Sequence, residues 1–143
     1  MNRRYALALI AGTLPACAGS YLNRGDALKT TVRDFNLHVR WQKWRGAAAY
    51  VHPDLRGQWL AGHVAAAQQV RITDVQVLGV QPTEDGDAAT VIVGVSWYRI
   101  PSTQIQQRAW QQEWRYEGRE WKLVKERIPD PPKAPPPNLP EWP

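Results

Sequence analysis

The chain is poor in the residues that do the most recognisable chemistry. Among its 143 residues there is one cysteine, Cys17, so no internal disulfide can close and no cysteine cluster can hold a metal. The three histidines, His38, His52 and His63, do not fall at a metal-ligand spacing, and no His-Glu-x-x-His pair exists. There is neither a glycine-rich phosphate loop nor a Gly-x-Ser-x-Gly elbow. The apolar run from Tyr5 to Leu14 is well short of the roughly 20 residues a membrane-spanning helix needs. A disulfide-stapled scaffold, a motif-bearing metalloenzyme and a P-loop nucleotide site are thereby excluded, and no cofactor is expected. Net charge is also modest where it counts. The formal +5 includes Arg3 and Arg4, and without residues 1–16 it is 5 − 2 = +3. Arg119, Lys122, Lys125 and Arg127 are interleaved with Glu117, Glu120 and Glu126, the pattern of a solvated mixed-charge surface, so no nucleic-acid partner is expected.

What is present starts with a basic Asn2-Arg3-Arg4, an apolar segment and small residues, the layout of a secretory signal. Its end, Leu14-Pro15-Ala16-Cys17, resembles the lipobox of bacterial lipoproteins: Leu14, Ala16 and Cys17 match the pattern, and Pro15 departs from it. The resemblance implies removal of residues 1–16, a diacylglyceryl thioether on Cys17 and an acylated amino group. Each buried methylene adds about 0.8 kcal/mol, so two or more chains anchor stably. Ala18, where an Asp would favour inner-membrane retention, implies an outer-membrane lipoprotein facing the periplasm. Residues 17–25 are expected as a short tether to that membrane.

Residues 26–128 read as one domain. Asp26 is the expected N-cap of a first helix, with Leu28, Val32, Phe35 and Val39 on one stripe. A second stripe, Leu37, Trp41, Trp44, Ala48 and Val51, is out of phase with it and predicts a bend near residues 39–43. Pro53 opens a third helix, with Leu55, Trp59, Leu60, Val64 and Ala67 toward the body. Strands follow: Val70 to Val80, Ala88 to Ile100 with Val91, Val93, Val95 and Trp97 on one face, Gln104 to Tyr116, and Glu120 to Arg127 beyond a Glu117-Gly118 turn. Helices followed by an antiparallel meander predict an α+β fold, N-terminal helices packed on a curved sheet. Residues 129–143 then change character. Eight of these fifteen residues are proline, which forbids helix and interior strand and favours an extended, disordered tail. Trp142 offers that tail an anchor for docking on an envelope protein.

The element order, together with the segments 41–51, Pro53-Asp54-Leu55-Arg56 and the 114–124 hairpin, resembles the nuclear transport factor two-like superfamily. The resemblance implies a cystatin-like cone, a family of isomerases, dehydratases, cyclases and many non-catalytic members. Its enzymes place Asp, His or Tyr inside the cone. The candidates in this chain are Asp34 and His38, four apart on the first helix, and Asp74 with Tyr98 on the first two strands. Trp97, Trp110 and Trp114, with Tyr98, are the candidate cavity lining. The expectation is a lipid-anchored, non-catalytic binding or interaction module. The alternative is a small-molecule binder or an isomerase- or dehydratase-like enzyme using the cone cavity, favoured if the cone holds a largely enclosed cavity over about 300 Å³ with converging polar groups and removed if those tryptophans plug it.

Overall fold

The computed structural model describes residues 18–127, with side chains from residue 23 onward. The Leu14–Cys17 motif and the proline-rich tail lie outside the described residues. Three helices, α1 (Ala18–Arg40), α2 (Trp44–Ala48) and α3 (Pro53–Ala66), precede four strands, β1 (Val70–Pro82), β2 (Ala88–Arg99), β3 (Gln106–Glu117) and β4 (Glu120–Arg127). The strands form one antiparallel sheet in the order β1-β2-β3-β4, and the helices cover one of its faces. The α+β layout is as expected. No helix among the described residues is long and apolar enough to cross a membrane.

The predicted stripe of α1 is its buried face: Leu28, Val32, Phe35 and Val39 are each at most 2% exposed. The helix starts earlier than Asp26, however, and takes in the stretch 18–25 expected as a tether. Tertiary contacts at Arg24 hold this turn against the body. Its carbonyl accepts from Trp121 Nε1 (3.0 Å), its guanidinium pairs with Asp87 (2.7 Å), and it stacks over Tyr116. At the other end Gln42 takes a left-handed φ of 52° and Lys43 N–H donates to the His38 carbonyl, which closes the helix. This break divides the second stripe. Leu37 and Trp41 stay on the outer side of α1, 56% and 60% exposed, whereas Trp44, Ala48 and Val51 turn inward beyond it.

Across the sheet, Val91, Val93 and Val95 of β2 face the helices, opposite Gln112, Trp110 and Arg108 of β3. Below them, Phe35 meets Trp114 edge to face at 5.3 Å. Gln112, fully buried, exchanges hydrogen bonds with Asn36 of α1 and so ties helix to sheet without leaving either amide unpaired. Gly118 and Arg119 both adopt positive φ in the two-residue β3–β4 turn, the conformation a tight hairpin requires.

Three irregularities set the shape. Register shifts at Ile72/Asp74 and Val77/Gly79 bend β1 and reset its alternation. In β4, Leu123 pairs with Trp114 but Lys125 pairs with Glu113, so Val124 is an extra residue and Glu126 comes to lie opposite the buried Gln112. Finally, α3 has no fully buried residue although it carries the predicted Trp59 and Leu60. Both are half-buried, and Leu55 and Val64 are exposed. The helix packs on α2 and stands away from the sheet.

Candidate functional site

The space that α3 leaves is a half-open cavity of about 640 Å³. On α3 its wall is formed by Leu55, Trp59, Gly62, His63 and Ala66, positions that share one helix face by their three- and four-residue steps. The rest of the lining includes Trp44 of α2, Ile72 at the start of β1, Trp97 and Arg99 of β2, Arg108 and Trp110 of β3 and the Leu123–Glu126 stretch of β4. Four indoles thus surround the space.

One polar pair sits in this apolar wall. His63 Nε2 lies 2.9 Å from Glu126 Oε1, and Trp59 Nε1–H donates to the same oxygen at 3.3 Å. The Glu126 side chain is 7% exposed and that of His63 18%. Spacing explains the first half of the arrangement: His63 follows Trp59 by four residues on one helix face. The β4 bulge explains the second, because without the extra Val124 the side chain opposite Gln112 would be Lys125. An ionised carboxylate only accepts hydrogen bonds, so in the neutral imidazole Glu126 places the ring proton on Nε2 and leaves the lone pair on Nδ1. That nitrogen makes no hydrogen bond among the described residues and is not among the buried unpaired atoms. The ring stacks on Trp44 at 4.8 Å and 19°, and also touches Trp59 and Trp110. Around it, Trp44 Nε1, Trp110 Nε1 and Glu126 Oε2 are buried without a hydrogen-bond partner among the described residues. Groups of this kind cost about 1–3 kcal/mol each when nothing satisfies them.

The residues expected from the sequence are scattered by comparison. Trp97 and Trp110 line the cavity, while Trp114 lies beneath it in the core, 1% exposed. Asp34 is on α1, paired with Arg33, and His38 packs near Gly46 and Tyr50; neither borders the cavity. Asp74 lies opposite Ser96, on the face of the sheet turned away from the helices, because the shift after Ile72 moves it there. Tyr98, opposite Arg71, shares that face and does not line the cavity, so the imagined Asp74/Tyr98 couple does not form inside it. His52 caps α3, accepting from Asp54 N–H at 3.3 Å. The sequence reading missed His63 and Glu126. The Trp59-to-His63 step was a usable signal for the first, but strict strand alternation misassigns the second.

No metal-ligand group of three His, Cys, Asp or Glu side chains occurs among the described residues. No protein-family profile matches the chain, and no curated protein matches it. Solved structures do. A protein of unknown function from Pseudomonas putida, described as NTF2-like, is 12% identical with a TM-score of 0.61, over 77% of this chain and 87% of that one. A ketosteroid isomerase-like protein from Erwinia carotovora atroseptica is 10% identical with a TM-score of 0.56, over 71% and 91%. A protein of unknown function with a cystatin-like fold from Nostoc punctiforme is 12% identical with a TM-score of 0.55, over 76% and 92%. At these identities the likeness is one of architecture. The described domain therefore has the nuclear transport factor two-like, cystatin-like α+β fold.

Proposed function

We propose that this domain binds a small, flat, largely apolar molecule in the cavity beneath α3. The observation that carries the reading is the cavity itself: about 640 Å³, walled by Trp44, Trp59, Trp97 and Trp110, with one buried polar pair. Small-molecule sites span about 300–1,000 Å³ and combine apolar walls with a few placed polar groups. Indole faces suit a flat, conjugated body. Plugging by Trp97, Trp110 and Trp114 would have removed this reading, but the first two form part of the wall and the third packs in the core.

The test uses Gly62, which lies midway along the lining face of α3 and has nothing within 4 Å of an added Cβ. Gly62→Phe should fill the cavity while removing a helix-interior glycine that costs about 0.5–1 kcal/mol relative to alanine. Flat aromatic compounds that raise the melting temperature of the native chain should fail to do so for this variant. Equal shifts in both would place binding elsewhere.

The His63–Glu126 pair favours a second reading, proton transfer on the bound molecule. Glu126 orients the ring and Nδ1 supplies a general base, the division of labour found where a carboxylate holds a catalytic imidazole. The likeness to a ketosteroid isomerase-like protein is compatible with it. His63→Gln would then abolish turnover and leave binding nearly intact.

From the Leu14–Cys17 resemblance we also propose that the mature chain is lipidated on Cys17 and held at the outer membrane facing the periplasm, with residues 129–143 available to an envelope partner. If α1 starts one residue after the acylated position, its first eight residues rise about 12 Å instead of the about 28 Å an extended tether would reach. Cys17→Ala should abolish incorporation of labelled fatty acid, and unchanged labelling overturns the anchoring.

A further inference from the structure

The charges around the cavity are unevenly matched. Among the described residues its only lining carboxylate, Glu126, is already engaged by His63 and Trp59, whereas three cations border it: Arg99, Arg108 and Lys125. Arg99 donates to Gln69 Oε1, and Lys125 stands 4.0 Å from Glu113. Arg108 is different. It is half-buried on β3, opposite the fully buried Val95 and two residues before Trp110, and so belongs to the helix-facing side of the sheet. It makes no hydrogen bond or ion pair among the described residues. A guanidinium partly withdrawn from water with no partner is a costly arrangement that an incoming anion would relieve.

We propose that the cavity selects a flat apolar molecule bearing one acid group, with Arg108 receiving the acid and the indoles receiving the body. The inference rests on the cavity being a binding site, as read above, and adds the charge of the ligand. A planar guanidinium takes an oxyanion through two parallel hydrogen bonds, which fixes orientation as well as affinity. The ligand's apolar end would then lie toward Trp44 and His63, deeper beneath α3. Lys125 and Arg99 add long-range attraction to the same sign of charge, weaker because both are exposed.

Two fluorescent probes with nearly the same aromatic body test this: anilinonaphthalene sulfonate, which is anionic, and N-phenylnaphthylamine, which is neutral. The native chain should bind the sulfonate at least tenfold more tightly. Arg108→Met, which keeps the apolar stem, should weaken the sulfonate about tenfold to a hundredfold and leave the neutral probe unchanged. Arg108→Lys should fall between, keeping the charge but losing the fork, and it keeps the test informative if the methionine variant folds poorly. Equal affinity for both probes in the native chain, each abolished by Gly62→Phe, would overturn the preference for acids and leave the binding cavity standing. Binding of neither probe would overturn both.

Discussion

The two ends of the cone use the same residue type to opposite effect. At the closed end Trp114 and Trp121 are 1% and 4% exposed, and each indole N–H has a partner, Gln112 Oε1 and the Arg24 carbonyl respectively. At the open end Trp44 and Trp110 are almost as deeply buried, yet their N–H groups have no partner among the described residues, and Trp59 is held by Glu126. Buried polar groups in a finished core are satisfied, and a cluster that is not marks a place where packing was subordinated to something else. Tryptophan at the closed end is mass that fills a core. At the open end it is wall.

Three measurements would break or sharpen that contrast. The largest effect should come from Phe35→Ala, which removes the fully buried ring touching Trp114, Trp59 and Tyr50 and should cost about 3–5 kcal/mol by urea denaturation. Trp97→Ala, at the half-buried rim, should cost less than half as much; comparable losses would mean that the cavity is collapsed in solution. Next comes Gln112→Met, which strands Asn36 and the Trp114 N–H and should cost about 1–3 kcal/mol. Adding Asn36→Leu should recover part of that loss, whereas simple additivity would show that the two amides do not act as a unit. The smallest effect belongs to Asp85, exposed in the β1–β2 loop. The Thr83 hydroxyl and then the Asp87 N–H stabilise its charged form and hold its carboxyl below the usual range. A depressed folded-state value contributes stability above the ordinary carboxylate range and loses it as pH falls. Asp85→Asn should therefore flatten the decline of the urea midpoint slightly between about pH 5 and about pH 2, because it lowers the midpoint a little at neutrality and leaves it unchanged in acid. A steeper decline would reverse the sign.

Much of the fold was legible because it is periodic. The Leu28-to-Val39 stripe, the Val91-to-Val95 alternation and the Gly118 turn are each local patterns that packing merely completes. The first turns of α1 were not, since Asp87, Tyr116 and Trp121 hold Arg24 from 63 to 97 residues further along the chain. Nor was the exposure of Leu37 and Trp41, which depends on the break at Gln42. The site was harder still. A cavity is a distance between elements, and nothing in α3 alone says that it stands off the sheet. Glu126 was hidden because a bulge, by adding one residue, cancels the alternation from which its side would be inferred.

That bulge has a wider implication. Lys125 and Glu126 are adjacent and opposite in sign, and the extra Val124 alone decides which of them stands beside Gln112 and His63. Moving β4 by a single notch would set an ammonium where a carboxylate now meets the imidazole, and invert the electrostatic character of the chamber without altering one letter of the sequence.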